Sequence, residues 1–281
     1  MKKYIITLLL LCATQFSIFN GRWATVHAQC PVTNTAFQNG ERLDYKLYFN
    51  WKFIWKTAGS ATMTTKQTTY KGKQGYQTDL ITRTSGRVDR WFLMRDTLRS
   101  IYTNNIVPLY YRKGATEGDK YRCNEITYSY SGGKTNLHQI YLHGNGTVTE
   151  RENQSVECAY DMISMMMRAR SFKASDFTVG QRMTFPFADG DKVKQETLVY
   201  RGIKNFTTEG EDKVTYRCLV FSYLEKNSKG KEKEIVTFYI TDDDNHIPVR
   251  LDLNLRFGIA KAYLKTASGL RNPQTSIIEK K

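Results

Sequence analysis

The chain has 281 residues, 40% of them hydrophobic and 25% charged, with a formal net charge of +15. Such a chain is long enough to be held by its own core without disulfides, and its length suits one large β domain or two smaller ones. It contains no long Lys/Arg run, which excludes a polybasic membrane anchor.

The first segment reads as an export signal. Lys2 and Lys3 are followed by the uncharged residues 4–13 (YIITLLLLCA), and Val26-His27-Ala28 supplies a cleavage site between Ala28 and Gln29. An apolar stretch of about ten residues is too short to span a bilayer, which takes roughly 20. Loss of residues 1–28 removes Lys2, Lys3 and Arg22 and leaves a charge of +12. An exported basic protein meets lipopolysaccharide, acidic glycans or phospholipid headgroups before it meets nucleic acid. Export therefore places the chain in the periplasm or at the outer membrane. Cys30 also raises a lipid anchor, although Gln29 and His27 replace the small residue and the Leu that lipoprotein signals carry there. Cys30, Cys123, Cys158 and Cys218 allow three disulfide pairings, and Cys158 reads equally well as a buried thiol. No cysteine spacing suits zinc.

Strand patterns dominate the remainder. Leu43, Tyr45, Leu47, Phe49, Trp51 and Phe53 alternate with polar or amphipathic residues, the pattern of a sheet with one buried face. Ile54 and Trp55 break the phase and predict a bulge or bend. Residues 58–69 and 77–83 pair across a turn containing Gly72 and Gly75. Residues 88–94 read as a short helix or a loop packed by Trp91, Phe92 and Leu93. Further strands are expected at 99–102, 109–113, 122–130 and 137–142, with hairpin signals at Ser131-Gly132-Gly133 and His143-Gly144-Asn145-Gly146. Residues 156–170 differ. Glu157, Asp161, Ser164 and Arg168 form one polar stripe at helical spacing, and Ser155 is the expected N-cap. Strands resume at 184–188, 193–202, 214–224 and 234–240. The acidic turn Asp242-Asp243-Asp244-Asn245 precedes a second alternation: Ile247, Val249, Leu251, Leu253, Leu255 and Phe257. Pro248 marks a strand end or an edge.

These elements predict a mainly β fold: a curled antiparallel sheet or half-open barrel with one main α-helix packed on it. The expected organisation is a signal peptide at 1–28, a single β-rich domain at 29–267 and a flexible tail at 268–281. Within the domain lie a β half at 37–150, the helix at 156–170 and a β half at 180–265.

Four segments carry a family resemblance. They are Gly40-Glu41-Arg42-Leu43-Asp44-Tyr45, then Tyr160-Asp161-Met162-Ile163-Ser164 continuing to Arg168, then Phe187-Ala188-Asp189-Gly190, and finally Phe238-Tyr239-Ile240-Thr241-Asp242-Asp243 running into Ile247-Pro248-Val249-Arg250-Leu251. Together they resemble the bacterial family named domain of unknown function 3108, in the form found in Bacteroides and its relatives. The resemblance implies architecture and no activity. More distantly, residues 200–210, 216–221 and the closing meander to Phe257-Gly258 are similar to periplasmic lipoprotein carriers of the Lol type. That similarity implies a half-open antiparallel barrel lined with apolar side chains. Those carriers have more than one lid helix, whereas this chain offers one.

Catalytic patterns are missing. There is no nucleophile elbow, phosphate loop or dinucleotide fingerprint. His138 and His143 read as solvated turn residues rather than metal ligands, and the turn before His246 lacks calcium-loop spacing. No metal site and no cofactor are expected. Asp96-Thr97-Leu98 matches the short acceptor of O-glycosylation in exported Bacteroides-type proteins, which marks Thr97.

The methionines Met162, Met165, Met166 and Met167 either fill core or line a permissive binding surface. The leading expectation is a non-enzymatic envelope protein that binds an apolar or lipid-bearing ligand. Tyr45, Phe49, Trp51, Met162, Met166 and Leu253 are expected to line its pocket beneath the helix. The expected partners are a lipid, a lipoprotein or an envelope protein, with an anionic glycan or headgroup as a further class and no nucleic acid. Two alternatives stay open: an assembly subunit that binds another protein, and a glycan-active enzyme.

Overall fold

The computed structural model describes residues 30–280 apart from 52–53, 87, 91–92, 209–212, 227–229 and 256–257. The expected signal segment and the expected Ala28/Gln29 cleavage point lie outside the described residues, as does Phe53.

Two antiparallel meanders form one sheet. The first runs β1 (Glu41–Trp51), β2 (Ile54–Tyr70), β3 (Lys73–Thr84), β4 (Met94–Thr103), β5 (Pro108–Glu117), β6 (Lys120–Ser131), β7 (Lys134–Leu142) and β8 (Val148–Ser155). The second runs β9 (Arg182–Asp189), β10 (Lys192–Thr207), β11 (Val214–Lys226), β12 (Glu232–Thr241), β13 (Pro248–Leu255) and β14 (Gly258–Ser268). β1 pairs with β14, so the strand order is β8 through β1 and then β14 back to β9. The chain thus builds a curled, nearly closed antiparallel barrel-like sheet whose last two edges are β8 and β9. Side chains of β7 and β8 reach across to the turn between β9 and β10. Gln139 Nε2 donates to the carbonyls of Gly190 (3.0 Å) and Lys192 (3.3 Å), and Asn153 Nδ2 donates to that of Asp191 (3.1 Å).

Tight turns explain why the meanders stay in register. Lys71 and Gly72 join β2 to β3 with both φ values positive, at 48° and 77°. Gly132 and Gly133 do the same between β6 and β7. This left-handed pair matches the twist of the strands it connects.

The helix α1 (Met162–Ala169) lies in the link between the meanders. It is shorter than the expected 156–170 and is capped by Asp161 rather than Ser155. The reason is tertiary. Tyr160 forms a bridge to Phe187, donating to the Pro186 carbonyl at 3.0 Å and accepting from Ala188 at 2.8 Å, which holds this backbone extended. Asp161 then accepts from the amides of Ile163 (3.0 Å) and Ser164 (2.9 Å), and its own amide donates to Ser164 Oγ. Its second oxygen accepts from Ser100 Oγ on β4 and Tyr128 Oη on β6, so the helix start is pinned to the first meander. Complete burial outweighs these donors and pushes the Asp161 carboxyl up to about 6.

Ala159, Ile163 and Met167 are fully buried in the main core together with Leu43, Tyr102, Ile126, Leu137 and Ile247. At the other end of the helix, the Arg170 guanidinium pairs with Glu41 through two contacts of 2.6 and 2.8 Å, both side chains being 1% exposed. Arg170 also donates to the Asn245 carbonyl at 3.1 Å and lies over the Phe37 ring.

The bend expected at Ile54 and Trp55 is a full chain reversal, with Trp51 paired to Ile54. Two further expectations change. The residues before the helix form β8, whose polar sequence VTERENQS hides a strand at the sheet edge. The tail is not free. Ser276 is buried and donates to Asp243 Oδ2 at 2.7 Å, and β15 (Ile277–Lys280) pairs with the start of β11, beyond the end of β12. Pro248 stands at the first position of β13, where its missing N–H costs least.

The structure realises none of the three complete pairings and forms one bond, Cys30 to Cys158. A sulfur committed to that bond is no longer a lipid-attachment thiol. Cys123 is half-buried and free, while Cys218 is fully buried and burial pushes its thiol up to about 12. The native oxidised protein is therefore expected to expose at most one thiol to Ellman's reagent, with Cys218 reacting only after denaturation. Two fast-reacting thiols in native protein would contradict this packing.

Candidate functional site

Alternation along a strand and register across strands place two rows of apolar side chains side by side. In the first, Phe221, Phe238, Leu251, Ala262 and Leu47 are successive partners across β11, β12, β13, β14 and β1. In the second, two residues along each strand, the partners are Tyr223, Val236, Leu253, Ala260 and Phe49. All except Ala262 are only half-buried, in contrast to the row above them, where Tyr45 and Leu264 pair in full burial. A wide apolar strip left half in water is the feature that marks binding surfaces.

Part of this strip shares its hydrophobic clusters with residues of α1. Tyr223 and Phe238 pack against a cluster holding Met165 and the Cys30–Cys158 pair, while Leu47 and Leu251 pack against the core that holds Met167. Four of the ten side chains in the two rows are aromatic, which suits an apolar guest.

The structure brings Tyr45, Phe49 and Leu253 together on one sheet face. Tyr45 is buried, and that burial holds its phenol well above the usual tyrosine range. Trp51 continues β1 beyond Phe49. Met166 is half-buried and packs against the core, but Met162 is 45% exposed. The helix begins at Met162, whose side chain is turned to solvent, while Met165 is buried in the cluster against which Tyr223 and Phe238 pack. Cross-strand partners such as Phe221 and Val236 were not legible as site residues, because only register shows that they share a surface.

The remaining candidates have structural surroundings. His138 contacts Glu150 at 2.6 Å, His143 contacts Thr149 at 2.8 Å, and His246 contacts the Arg170 carbonyl at 2.7 Å. The acidic turn is an internal knot: Asp243 accepts from Thr241, the Asn245 amide and Ser276. Among the described residues, no three His, Cys, Asp or Glu side chains are grouped for a metal. Thr97 sits in the middle of β4, paired with Ile81 and Gly114 and half-buried. No helix among the described residues is long and apolar enough to cross a membrane.

The four segments singled out in the sequence meet around α1. Glu41 clamps Arg170, Asp161 caps the helix, Phe187 and Ala188 hold Tyr160, and Asn245 accepts from Arg170. Their shared task is to dock the helix. The fold is similar to that of a beta-barrel-like protein of domain of unknown function DUF1849 from Brucella abortus, at 13% identity and a TM-score of 0.52, over 83% of this chain and 98% of that one. A protein of YmcC-like fold from Bacteroides fragilis aligns at 9% identity and a TM-score of 0.35, over 84% and 99% of the two chains. No curated protein matches the sequence. The chain matches the DUF3108 family, proteins of unknown function, over residues 44–265, and it belongs to that family.

Proposed function

We propose that this is an exported envelope protein that holds an apolar, acyl-bearing partner on the strip formed by β11, β12, β13, β14 and β1. The observation that carries this reading is the pair of adjoining, half-buried apolar rows. The N-terminal signal and the Cys30–Cys158 bond favour an exported, oxidising location. The charge of +12 that remains after loss of residues 1–28 favours an anionic headgroup on the guest. Assembly by strand addition is the weaker alternative. The middle of edge strand β8 carries Glu150, Arg151 and Glu152, charges that discourage edge pairing, and Tyr160 already occupies part of the β9 edge.

The test is uptake of the fluorescent fatty acid cis-parinaric acid, with native mass spectrometry of protein purified from envelopes. Wild type is expected to bind. Leu253→Asp is expected to weaken binding about tenfold or more while keeping the fold, because the position is half-buried and the new charge stays partly hydrated. Protein that purifies empty and takes up no cis-parinarate would refute the proposal.

A further inference from the structure

On the first meander, the face that meets α1 through Ser100 and Tyr128 becomes polar as the strands run away from the helix. Alternate residues lead from Ser100 through Leu98 to Asp96 on β4, and from Tyr128 through Ile126 to Asn124 on β6. There a cavity of about 210 Å³ opens, lined by Lys113, Glu117, Arg122, Asn124, Tyr141 and Asp189 among others. The turn from β9 to β10 closes over it and is held by Gln139 and Asn153.

Asn124 is the informative residue. It is 2% exposed and lines the cavity, yet neither its amide nitrogen nor its oxygen bonds any protein group. A buried amide left so costs about 1–3 kcal/mol, which calls for a partner supplied from the cavity. Asp96 Oδ1 is likewise buried and without a partner. Asp96 is the register neighbour of Ala115, which also lines the cavity.

The surrounding groups define what fits. Arg122 is paired with Glu117 at 2.7 Å, and Lys113 and Arg122 are balanced by Glu117 and Asp189, so the lining does not select a strong ion. An amide that must donate and accept side by side is matched by two adjacent hydroxyls, each of which does both. The Tyr141 ring adds an apolar flank. The cavity is smaller than the roughly 300–1,000 Å³ of ordinary ligand pockets, which limits the guest to a single ring.

We propose that this pocket binds one neutral sugar ring, with Asn124 bidentate to two vicinal hydroxyls, Asp96 accepting from a further hydroxyl, and Tyr141 against the ring. This site is separate from the apolar strip and does not depend on it.

Saturation-transfer NMR with glucose, galactose and N-acetylglucosamine tests the proposal on the full mature chain. At least one sugar is expected to receive saturation, and Asn124→Leu should weaken its binding about tenfold or more. The same variant should keep or raise the melting temperature, because it replaces an unpartnered polar group with an apolar one of similar size. Asp96→Asn, which keeps the shape, should weaken the same sugar. The proposal falls if none of the three sugars receives saturation, if Asn124→Leu binds as well as wild type, or if that variant melts several degrees lower. The last result would assign Asn124 to the fold.

Discussion

Glu41→Leu, with Arg170 left in place, is expected to destabilise the protein by about 3–5 kcal/mol. Both side chains are 1% exposed, and Arg170 has no route to water once its partner is gone. Burial works to deprotonate Arg170, but the Glu41 carboxylate more than offsets it and raises the guanidinium above its ordinary value. Removing that carboxylate leaves a cation in an apolar site beside the Phe37 ring. The double variant Glu41→Leu/Arg170→Met removes both charges and should recover most of the loss, because a buried ion pair contributes little over a well-packed apolar pair. Urea denaturation of the four members of this cycle measures the coupling. If the double variant is as unstable as Glu41→Leu, the bond from Arg170 to the Asn245 carbonyl matters more than the charge pair.

Loss of the Cys30–Cys158 bond is expected to cost about 4 kcal/mol, read as a lower urea midpoint in a Cys30→Ser/Cys158→Ser variant. The bond closes a loop with a sequence separation of 128, and a crosslink over so many residues removes much of the freedom of the unfolded chain. The native side loses less. Arg168 donates to the Cys30 carbonyl at 2.8 Å, and its guanidinium lies 5.1 Å from the centre of the Tyr160 ring, so the N-terminal segment keeps a noncovalent attachment to α1. A steeper dependence on urea should accompany the lower midpoint, since the uncrosslinked denatured chain exposes more surface. A change below about 1 kcal/mol would show that the unfolded chain keeps these segments together without the bond.

The alternations from Leu43 and from Ile247 were legible as strands because side-chain direction in a strand repeats every two residues, a purely local property. The hairpins were legible at Gly72 and at Gly132-Gly133 because few residues adopt the backbone those turns require. β8 was not legible. An edge strand with one neighbour and two wet faces keeps no apolar period, and VTERENQS shows none. The helix start was misplaced for a related reason. The polar stripe from Glu157 onward fits a helix locally, and only the pairing of Tyr160 with β9 holds that backbone extended.

The candidate sites divide in the same way. Tyr45, Phe49 and Leu253 were visible as members of buried faces, but Phe221, Tyr223, Val236 and Phe238 join them only through the register of five strands. Asn124 gave no sign in the sequence, since a polar residue in an alternating strand reads as solvent-facing. By itself the sequence determined the strand periods and the tight turns, both set by interactions within a few residues. Only the tertiary structure decided the closure of β1 on β14, the docking of α1 by Glu41 and Arg170, the choice of Cys158 as the partner of Cys30, and the burial of Asn124. Each of these joins residues far apart in the chain, and their pairing follows from which surfaces the collapsed sheet brings together.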